Sequence, residues 1–290
     1  MVEAPMTPVR QLARYGLYAV LALVAFIYLM PLWVMIITSL KDTEEIRTGN
    51  LLALPGSFNF DAWVAAWSSA CTGGTCEGIS TYFFNSFQIV IPAVLVSTLL
   101  GAVNGYVLSF WRFRGSELMF GLLLVGCFIP LQVMLLPMAR SLAFFGLANT
   151  TTGLVIVHVI VGSGFTTMFF RNFYIGLPQE LIKAARLDGA GFFFIFRRIV
   201  LPLSTPIIVV TLIWQFTQIW NDFLLGVVFS GAETQPVTVA LNNLVNTSFG
   251  GKQYNVDMAA ALIAALPTLF VYVLAGKYFV RGLTAGAVKG

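Results

Sequence analysis

Aromatic and polar side chains recur near the end of one long apolar segment of this 290-residue chain. The group consists of Trp214, Gln215, Gln218, Trp220, Asn221 and Asp222. Four of them, Trp214 and the residues four, seven and eight positions later, fall on one helical stripe. Amide and carboxyl groups hydrogen-bond hydroxyls, and indole rings stack on the apolar face of another ring. The chemistry available here is therefore the binding of a neutral, hydroxyl-rich molecule.

The composition indicates that membrane-spanning helices hold these residues. Of all residues, 58% are hydrophobic and 10% are charged, whereas soluble domains carry roughly a quarter charged residues. Six apolar stretches are long enough to cross a bilayer, which takes about 20 residues: 15–38, 82–110, 118–139, 152–174, 203–225 and 258–280. Prolines within them, such as Pro130, favour kinks that serve ordinary bundle geometry or hinge motion. The predicted fold class is an all-α polytopic membrane protein with six transmembrane helices.

Two interpretations of the polar stripe remain open in this setting. Amides are costly in lipid, so the stripe should face the interior of the helix bundle. There it can line a path for a ligand, or it can provide hydrogen bonds between helices together with an interfacial belt of Trp and Asn. Gln132, two residues after Pro130, is a weaker candidate on the same grounds.

The distribution of Lys and Arg predicts the orientation, because cytoplasmic loops carry an excess of both. With the N-terminus inside, the outer segments hold four of them: Lys41, Arg47, Arg140 and Lys252. The cytoplasmic segments hold the other twelve: Arg10, Arg14, Arg112, Arg114, Arg171, Lys183, Arg186, Arg197, Arg198, Lys277, Arg281 and Lys289. We predict a cytoplasmic N-terminus (1–14), an outer loop (39–81) that includes a short helix over 62–69, a five-span core (82–280) and a cytoplasmic tail (281–290). The net charge of +4 is too scattered to favour a nucleic-acid partner.

Two cysteines share a Gly/Thr-rich stretch of the predicted outer loop, Cys71-Thr-Gly-Gly-Thr-Cys76. In an oxidising compartment they would form a local disulfide, and otherwise they are two free thiols. A zinc site would need more ligands nearby. Cys127 lies in an apolar run and is interpreted as an inert core residue.

Residue types for catalysis, metal binding or nucleotide binding are sparse. The single histidine, His158, lies within an apolar stretch, and neither H-E-x-x-H nor G-x-S-x-G occurs. Gly251-Lys252 is followed by Gln253 and does not complete the phosphate-binding loop G-x4-G-K-[ST]. No span carries the charged network that proton-coupled carriers use. We predict no catalytic residue and no metal site, and any ATP must be hydrolysed by another polypeptide.

One cytoplasmic segment, residues 177–191, carries a specific pattern. Pro178 suits the first turn of a helix and Gly189 suits its end. Leu177, Leu181, Ala184 and Ala185 are predicted to share one face, with small residues at its centre. A second short helix over 192–200 should follow before Pro202. The segment can fit the groove of a partner protein, or it can be an amphipathic loop on the membrane surface.

The segment resembles the cytoplasmic motif E-A-A-x-x-x-G-x9-I-x-L-P of permeases of bacterial ABC importers. Lys183-Ala184-Ala185 is followed after three residues by Gly189, and after nine more by Ile199-Val-Leu201-Pro202. Lys183 replaces the usual Glu, and Glu180 lies one turn earlier. The resemblance implies a coupling helix that docks in a cleft of an ATPase subunit. Its candidate residues are Glu180, Lys183, Ala184, Ala185, Asp188, Gly189, Ile199, Leu201 and Pro202.

The C-terminal tail, from Arg281 to Gly290, is similar to that of the six-span, carbohydrate-uptake branch that includes the maltose permease. Runs at 67–72, 111–115, 214–223 and 239–244 resemble glucose/mannose permeases more closely still. The resemblance implies a type I importer transmembrane domain in the bacterial inner membrane, with both termini cytoplasmic. The implied partners are a second homologous permease, two ATPase subunits that carry ATP and Mg, membrane lipid, and a periplasmic or lipid-anchored sugar-binding protein.

The resulting hypothesis is a channel-forming permease subunit of an ATP-driven importer of a monosaccharide such as glucose or mannose, working by alternating access. Within the same class, the cargo could instead be a disaccharide, an oligosaccharide or glycerol phosphate. From other classes, an ion-coupled secondary sugar carrier would transport without an ATPase, and a membrane scaffold would not transport in any assembly.

Overall fold

The structure, a computed structural model, describes residues 8–111, 113–247 and 251–287. Within those residues every regular element is a helix, which confirms the predicted all-α class. The helices are α1 (Pro8–Ser39), α2 (Thr43–Thr48), α3 (Asp61–Ser68), α4 (Ser80–Phe110), α5 (Ser116–Phe128), α6 (Leu131–Phe144), α7 (Thr151–Ile175), α8 (Gln179–Leu187), α9 (Phe192–Ile195), a π-helical turn (Phe196–Val200), α10 (Leu201–Leu203), α11 (Thr205–Trp220), α12 (Leu224–Phe229), α13 (Val237–Asn246) and α14 (Tyr254–Ala287). Arg112, Lys289 and the end of the tail (288–290) lie outside the described residues.

Four helices in the described part of the chain are long and apolar enough to cross a membrane alone. They are Arg10–Ser39, Ser80–Phe110, Thr151–Ile175 and Tyr254–Gly276. Two bent helix pairs can each provide a further span, which brings the number to six. The first pair joins Ser116–Phe128 to Leu131–Phe144 at 102°, and the second joins Phe192–Leu203 to Thr205–Trp220 at 77°.

The third and fifth spans, predicted over 118–139 and 203–225, are therefore each a bent pair of helices. Between α5 and α6, Ile129 (φ −66°, ψ 128°) and Pro130 (φ −54°, ψ 123°) have extended backbone. Pro130 cannot donate a helical hydrogen bond, and its ring pushes the residue before it out of the helical region. In the fifth span the 77° bend lies between Leu203 and Thr205, and α11 ends at Trp220, so Asn221 and Asp222 lie beyond the helix.

The chain divides into two compact units, of which the first comprises Met1–Gly78 and Leu244–Ile263. In this unit α3 (Asp61–Ser68) is the short helix predicted over 62–69, shifted by one residue. Cys71 and Cys76 are joined by a disulfide, so the structure contains the bonded form of the pair. Within the disulfide loop, the Gly73 backbone N–H donates a 3.1 Å hydrogen bond to the Thr247 hydroxyl. This bond connects the two stretches of chain that make up the unit.

The second unit comprises Ile79–Asn243 and Ala264–Gly290, and its centre is the pair α4 and α7. A Cβ atom on Gly101 would lie 2.5 Å from Thr166 Oγ1, and one on Gly105 would lie 2.7 Å from the Phe170 Cβ. Glycines four residues apart let two membrane helices approach closely. The spacing Gly101-x3-Gly105 is visible in the sequence and was the available signal for this contact.

Candidate functional site

Helix α8 coincides with the segment that carries the E-A-A-type motif. Glu180 in its first turn and Arg186 in its last turn complement the helix dipole. Asp188 follows the last helical residue, and Gly189 has a φ of +82°. Residues with a Cβ rarely adopt this left-handed conformation, so glycine ends the helix with little strain. The local sequence thus specifies both ends of α8.

One face of α8 is anchored in the second unit. Ile182 and Ala185 are buried in an apolar core with Tyr106 of α4 and with Phe170 and Tyr174 of α7. The core also contains Ala102, Ile195 and Val200. The short helix therefore rests on both central membrane helices, and this burial fixes which of its faces remains open.

The predicted grouping of four residues on one face of α8 is wrong. Ala185 is buried and Leu177 packs against the core, whereas Leu181 and Ala184 are exposed. The grouping left out Ile182, whose larger side chain determines the buried face. The open surface instead contains Leu181, Ala184 and Leu187, and Leu187 is 88% exposed.

The charged motif residues lie around this open surface. Glu180, Lys183 and Asp188 are exposed, as is Gly189. In the second half of the motif, Ile199 packs against the buried core in the π-helical turn, Leu201 is half-buried, and Pro202 is exposed in the first turn of α10. The structure therefore brings most of the motif together around α8, with some residues as anchors and others open to a partner.

Arg186 connects α8 to the end of α4, a contact that sequence reasoning missed. Its Nη2 donates a 2.6 Å hydrogen bond to the Phe110 carbonyl, and its guanidinium carbon lies 4.1 Å from the centre of the Trp111 ring. Nearby, the Tyr106 hydroxyl donates a 3.1 Å bond to the Phe192 carbonyl. The end of the second span, α8 and α9 are thus linked by polar contacts as well as by apolar packing.

The polar stripe of the fifth span is not a single inward-facing surface in this chain. Gln218 and Asn221 are exposed, while Trp214 is half-buried with its ring 5.3 Å from Phe165 and 5.2 Å from Phe169. The helix also ends before Asn221, so the expected seven- and eight-residue spacings do not continue along it. Gln132 is exposed on α6.

The two flanking residues of the stripe are the buried ones. Gln215 is 1% exposed, and its Nε2 donates a 2.6 Å hydrogen bond to the Ser97 hydroxyl. Thr166 Oγ1 donates a 2.9 Å bond to the Ser97 carbonyl. These bonds join α11, α4 and α7. Gln215 therefore links α11 to α4 inside the helix bundle.

Trp220 is likewise a structural residue in this chain. It is buried, its Nε1 donates a 2.9 Å hydrogen bond to the Ala264 carbonyl, and its ring lies against Phe87 and Phe216.

Asp222 lies two residues beyond α11, where it accepts a 3.1 Å bond from the Gly226 backbone N–H. Burial raises the pKa of its carboxyl, and the backbone N–H groups of Gly226 and Leu225 partly offset this effect. The carboxyl group thus bonds a backbone N–H in the first turn of α12, and this contact accounts for its position without a ligand.

Comparison with known proteins identifies the family. Residues 93–284 match the family described as binding-protein-dependent transport system inner membrane component. A probable ABC transporter permease of Pyrococcus horikoshii is 38% identical over 278 residues, which covers 96% of this chain and 98% of the relative. A xylose/arabinose import permease of Haloferax volcanii is 34% identical over 297 residues, with 95% and 94% covered.

The fold agrees with this assignment. A crystal structure of a bacterial ABC transporter involved in the import of the acidic polysaccharide alginate matches 96% of this chain and 100% of its own, with a TM-score of 0.80 at 19% identity. The assignment to ABC permeases made from the α8 motif is confirmed. The protein is a multi-pass membrane protein and a transport subunit, with ATP hydrolysis on a separate subunit. This chain belongs to the binding-protein-dependent transport system inner membrane component family, the permease subunits of ABC transporters.

Proposed function

We propose that this chain is the permease subunit of an ATP-driven sugar importer whose cargo is a monosaccharide, and that α8 is its coupling helix. The observation that carries the coupling role is the division of α8 into two faces. Ile182 and Ala185 fix the helix to the membrane core, while Leu181, Ala184 and Leu187 remain open.

The open face of α8 has the features of a protein-binding surface. Leu187 is 88% exposed at the end of α8, and the charged residues Lys183 and Asp188 close to it in the chain are exposed as well. An apolar anchor surrounded by a polar rim is the usual arrangement of an interface centre. We infer that Leu187 enters a groove of the ATPase and that Lys183 and Asp188 contribute to its register.

Co-purification tests this role directly. Leu187→Asp should abolish capture of the ATPase by the tagged permease, because the change places an unpaired charge in the apolar groove. Leu187→Met keeps the size and polarity of the side chain and should retain capture. Since Leu187 packs against little of its own chain, both variants should reach the membrane in equal amounts. Equal capture by both variants would exclude α8 as the docking element.

The partners follow from the same proposal. We infer a second homologous permease, two ATPase subunits with ATP and Mg, and a sugar-binding protein on the other side of the membrane. Gln218 and Asn221, which are exposed in the single chain, would then line a path shared by the two permeases. ATP-driven closure of the ATPases would move α8 and turn this path from one side to the other. ATP-dependent uptake by the assembled complex, absent without ATP, distinguishes this importer from an ion-coupled carrier.

The sugar class rests on relatives named for different cargoes. Besides the xylose/arabinose permease, a glucose import permease of Saccharolobus solfataricus is 32% identical over 282 residues. An arabinooligosaccharide permease of Bacillus subtilis is 30% identical over 280 residues. The identities of the xylose/arabinose permease (34%) and the glucose permease (32%) lie slightly above that of the arabinooligosaccharide permease (30%), and we base the choice of a monosaccharide on this small difference. Uptake of labelled glucose, mannose and xylose against maltose and arabinotriose, with the native binding protein, tests this choice.

A further inference from the structure

Five large apolar side chains project outward from the segment after the first span. Leu51, Leu52, Leu54, Phe58 and Phe60 lie within ten residues and are each between 48% and 69% exposed. We call residues 51–60 the apolar segment. It contains no helix or strand, and no charged residue occurs from position 48 to position 60. Clusters of exposed apolar side chains normally mark a surface that contacts a membrane or another protein.

The polar side chains next to this segment bond to the loop's own atoms. Lys41 is only 3% exposed, and its Nζ donates a 2.9 Å hydrogen bond to the Asn50 carbonyl. The Gly56 backbone N–H donates a 2.9 Å bond to Glu45 Oε1. Lys41 is therefore turned into the loop and bonded there, whereas the five large apolar side chains of the apolar segment are turned outward.

Hydrogen bonds also fix the level of the apolar segment relative to the first span. The Asn59 backbone N–H donates a 3.1 Å bond to the carbonyl of Leu40, the residue directly after α1. The Asn59 Nδ2 donates a 2.7 Å bond to Asp42 Oδ1. Phe58 and Phe60, on either side of Asn59, are consequently held beside the end of α1.

The length of the first span places that end at the membrane surface. The 30 residues from Arg10 to Ser39 make a helix about 45 Å long, close to the thickness of a bilayer with its headgroups. A segment held beside Leu40 therefore lies where the helix leaves the lipid. The exposed apolar side chains of α1 and those of the apolar segment belong to the same unit, and α2 with its flanking residues is the only stretch of chain between them.

We propose that the apolar segment inserts its side chains between the headgroups and acyl chains of the leaflet from which α1 emerges. Its ligand is the lipid surface itself. Insertion removes apolar area from water and buries no charge of the segment itself, because no charged residue occurs from position 48 to position 60. This inference depends only on α1 crossing the membrane and is independent of the proposed cargo and of the coupling role of α8.

Depth-dependent fluorescence quenching tests the proposal. Phe58→Trp is made in the full chain, which is purified with its native subunits and reconstituted in nanodiscs. The lipids carry bromine either near the headgroup or near the bilayer centre. Val24→Trp, at an exposed position in the middle of α1, is the matched control. Phe60→Trp gives a second reading of the same segment, and emission is measured relative to the unaltered chain.

The expected result is about a twofold loss of the added emission with shallow bromine and little loss with deep bromine. The Val24→Trp control should show the opposite preference. Emission that aqueous acrylamide quenches and bromine does not would mean that the segment projects into water. Emission shielded from both quenchers would mean that a partner protein covers it. Either of these results at both positions overturns the proposal.

Discussion

The guanidinium carbon of Arg186 lies 4.1 Å from the centre of the Trp111 ring, although 75 positions separate the two residues in the chain. Arg186 belongs to α8, and Trp111 directly follows α4. Because α4 packs closely on α7 at Gly101, this contact connects an exposed short helix to the central pair of membrane helices. A displacement of α8 should therefore reach α4 through Arg186 as well as through the apolar core.

Arg186→Ala should lower ATP-driven uptake several-fold while ATP hydrolysis and ATPase capture persist, because the open face of α8 is unchanged. The Arg–Trp contact itself contributes about 0.5–1 kcal/mol at an exposed site. A double-mutant cycle with Trp111→Leu, read by thermal unfolding, should return a coupling energy of that size. Trp111→Phe keeps an aromatic face and is the control. Strictly additive effects would show that the two side chains do not act together.

Gln215→Leu should lower the stability of the protein, whereas Gln218→Leu should lower transport without lowering stability. The first removes the donor to Ser97 inside the bundle, which should cost about 1 kcal/mol of stability and lower the melting temperature. The second changes an exposed side chain and should leave the melting temperature unchanged while uptake falls. Melting curves and uptake by equal amounts of complex measure the two effects. Normal uptake by Gln218→Leu would exclude Gln218 from the path.

The contrast between these two glutamines shows where sequence reasoning stops. Six apolar runs predict helices because the pattern is local, and the α8 motif predicts its own ends for the same reason. Which amide is buried depends on Ser97 and Gly162, which lie on other helices. Adding a Cβ to Gly162 would place it 2.2 Å from the Gln215 amide nitrogen, so a small residue there is what admits Gln215.

The bend at Pro130 has a similar explanation. A proline in an apolar run indicates a kink, but its size depends on how the neighbouring helices pack. The angle of 102° between α5 and α6 could therefore not be predicted from the sequence, and neither could the end of α11 at Trp220. By contrast, the close approach of α4 and α7 had a readable signal in the spacing of two glycines.

Gly101→Ala should reduce the amount of folded protein. The new methyl group would lie within 2.5–2.7 Å of Thr166 atoms, and overpacking of this kind costs about 1–3 kcal/mol. Gly121→Ala is the matched control, because that position on α5 has no atom within 4 Å of an added Cβ. Folded yield and melting temperature in detergent provide the measurement. Equal stability of the two variants would contradict the close crossing of α4 and α7.

Gly189→Val should weaken ATPase capture by distorting the end of α8. A left-handed backbone costs a residue with a Cβ about 1–2 kcal/mol, and a β-branched side chain is among the least tolerant. An added Cβ meets nothing within 4 Å, so backbone strain is the expected cause. Gly191→Val, at φ −79° and ψ 173°, is unstrained and should retain capture. Loss of capture in both variants would point to a bulk effect of the side chain.

The disulfide between Cys71 and Cys76 allows the proposed orientation to be tested in intact cells. If both termini are cytoplasmic, this loop faces the outside, so a membrane-impermeant maleimide should label it after treatment with an impermeant reductant. Without the reductant no label should appear, because the two sulfur atoms are bonded. Cys127→Ala should not change the signal, since that residue is half-buried in the third span, whereas the double variant Cys71→Ser/Cys76→Ser should remove it. Labelling that requires permeabilised cells would reverse the orientation and place α8 on the side opposite the ATPase, so the coupling proposal would fail with it.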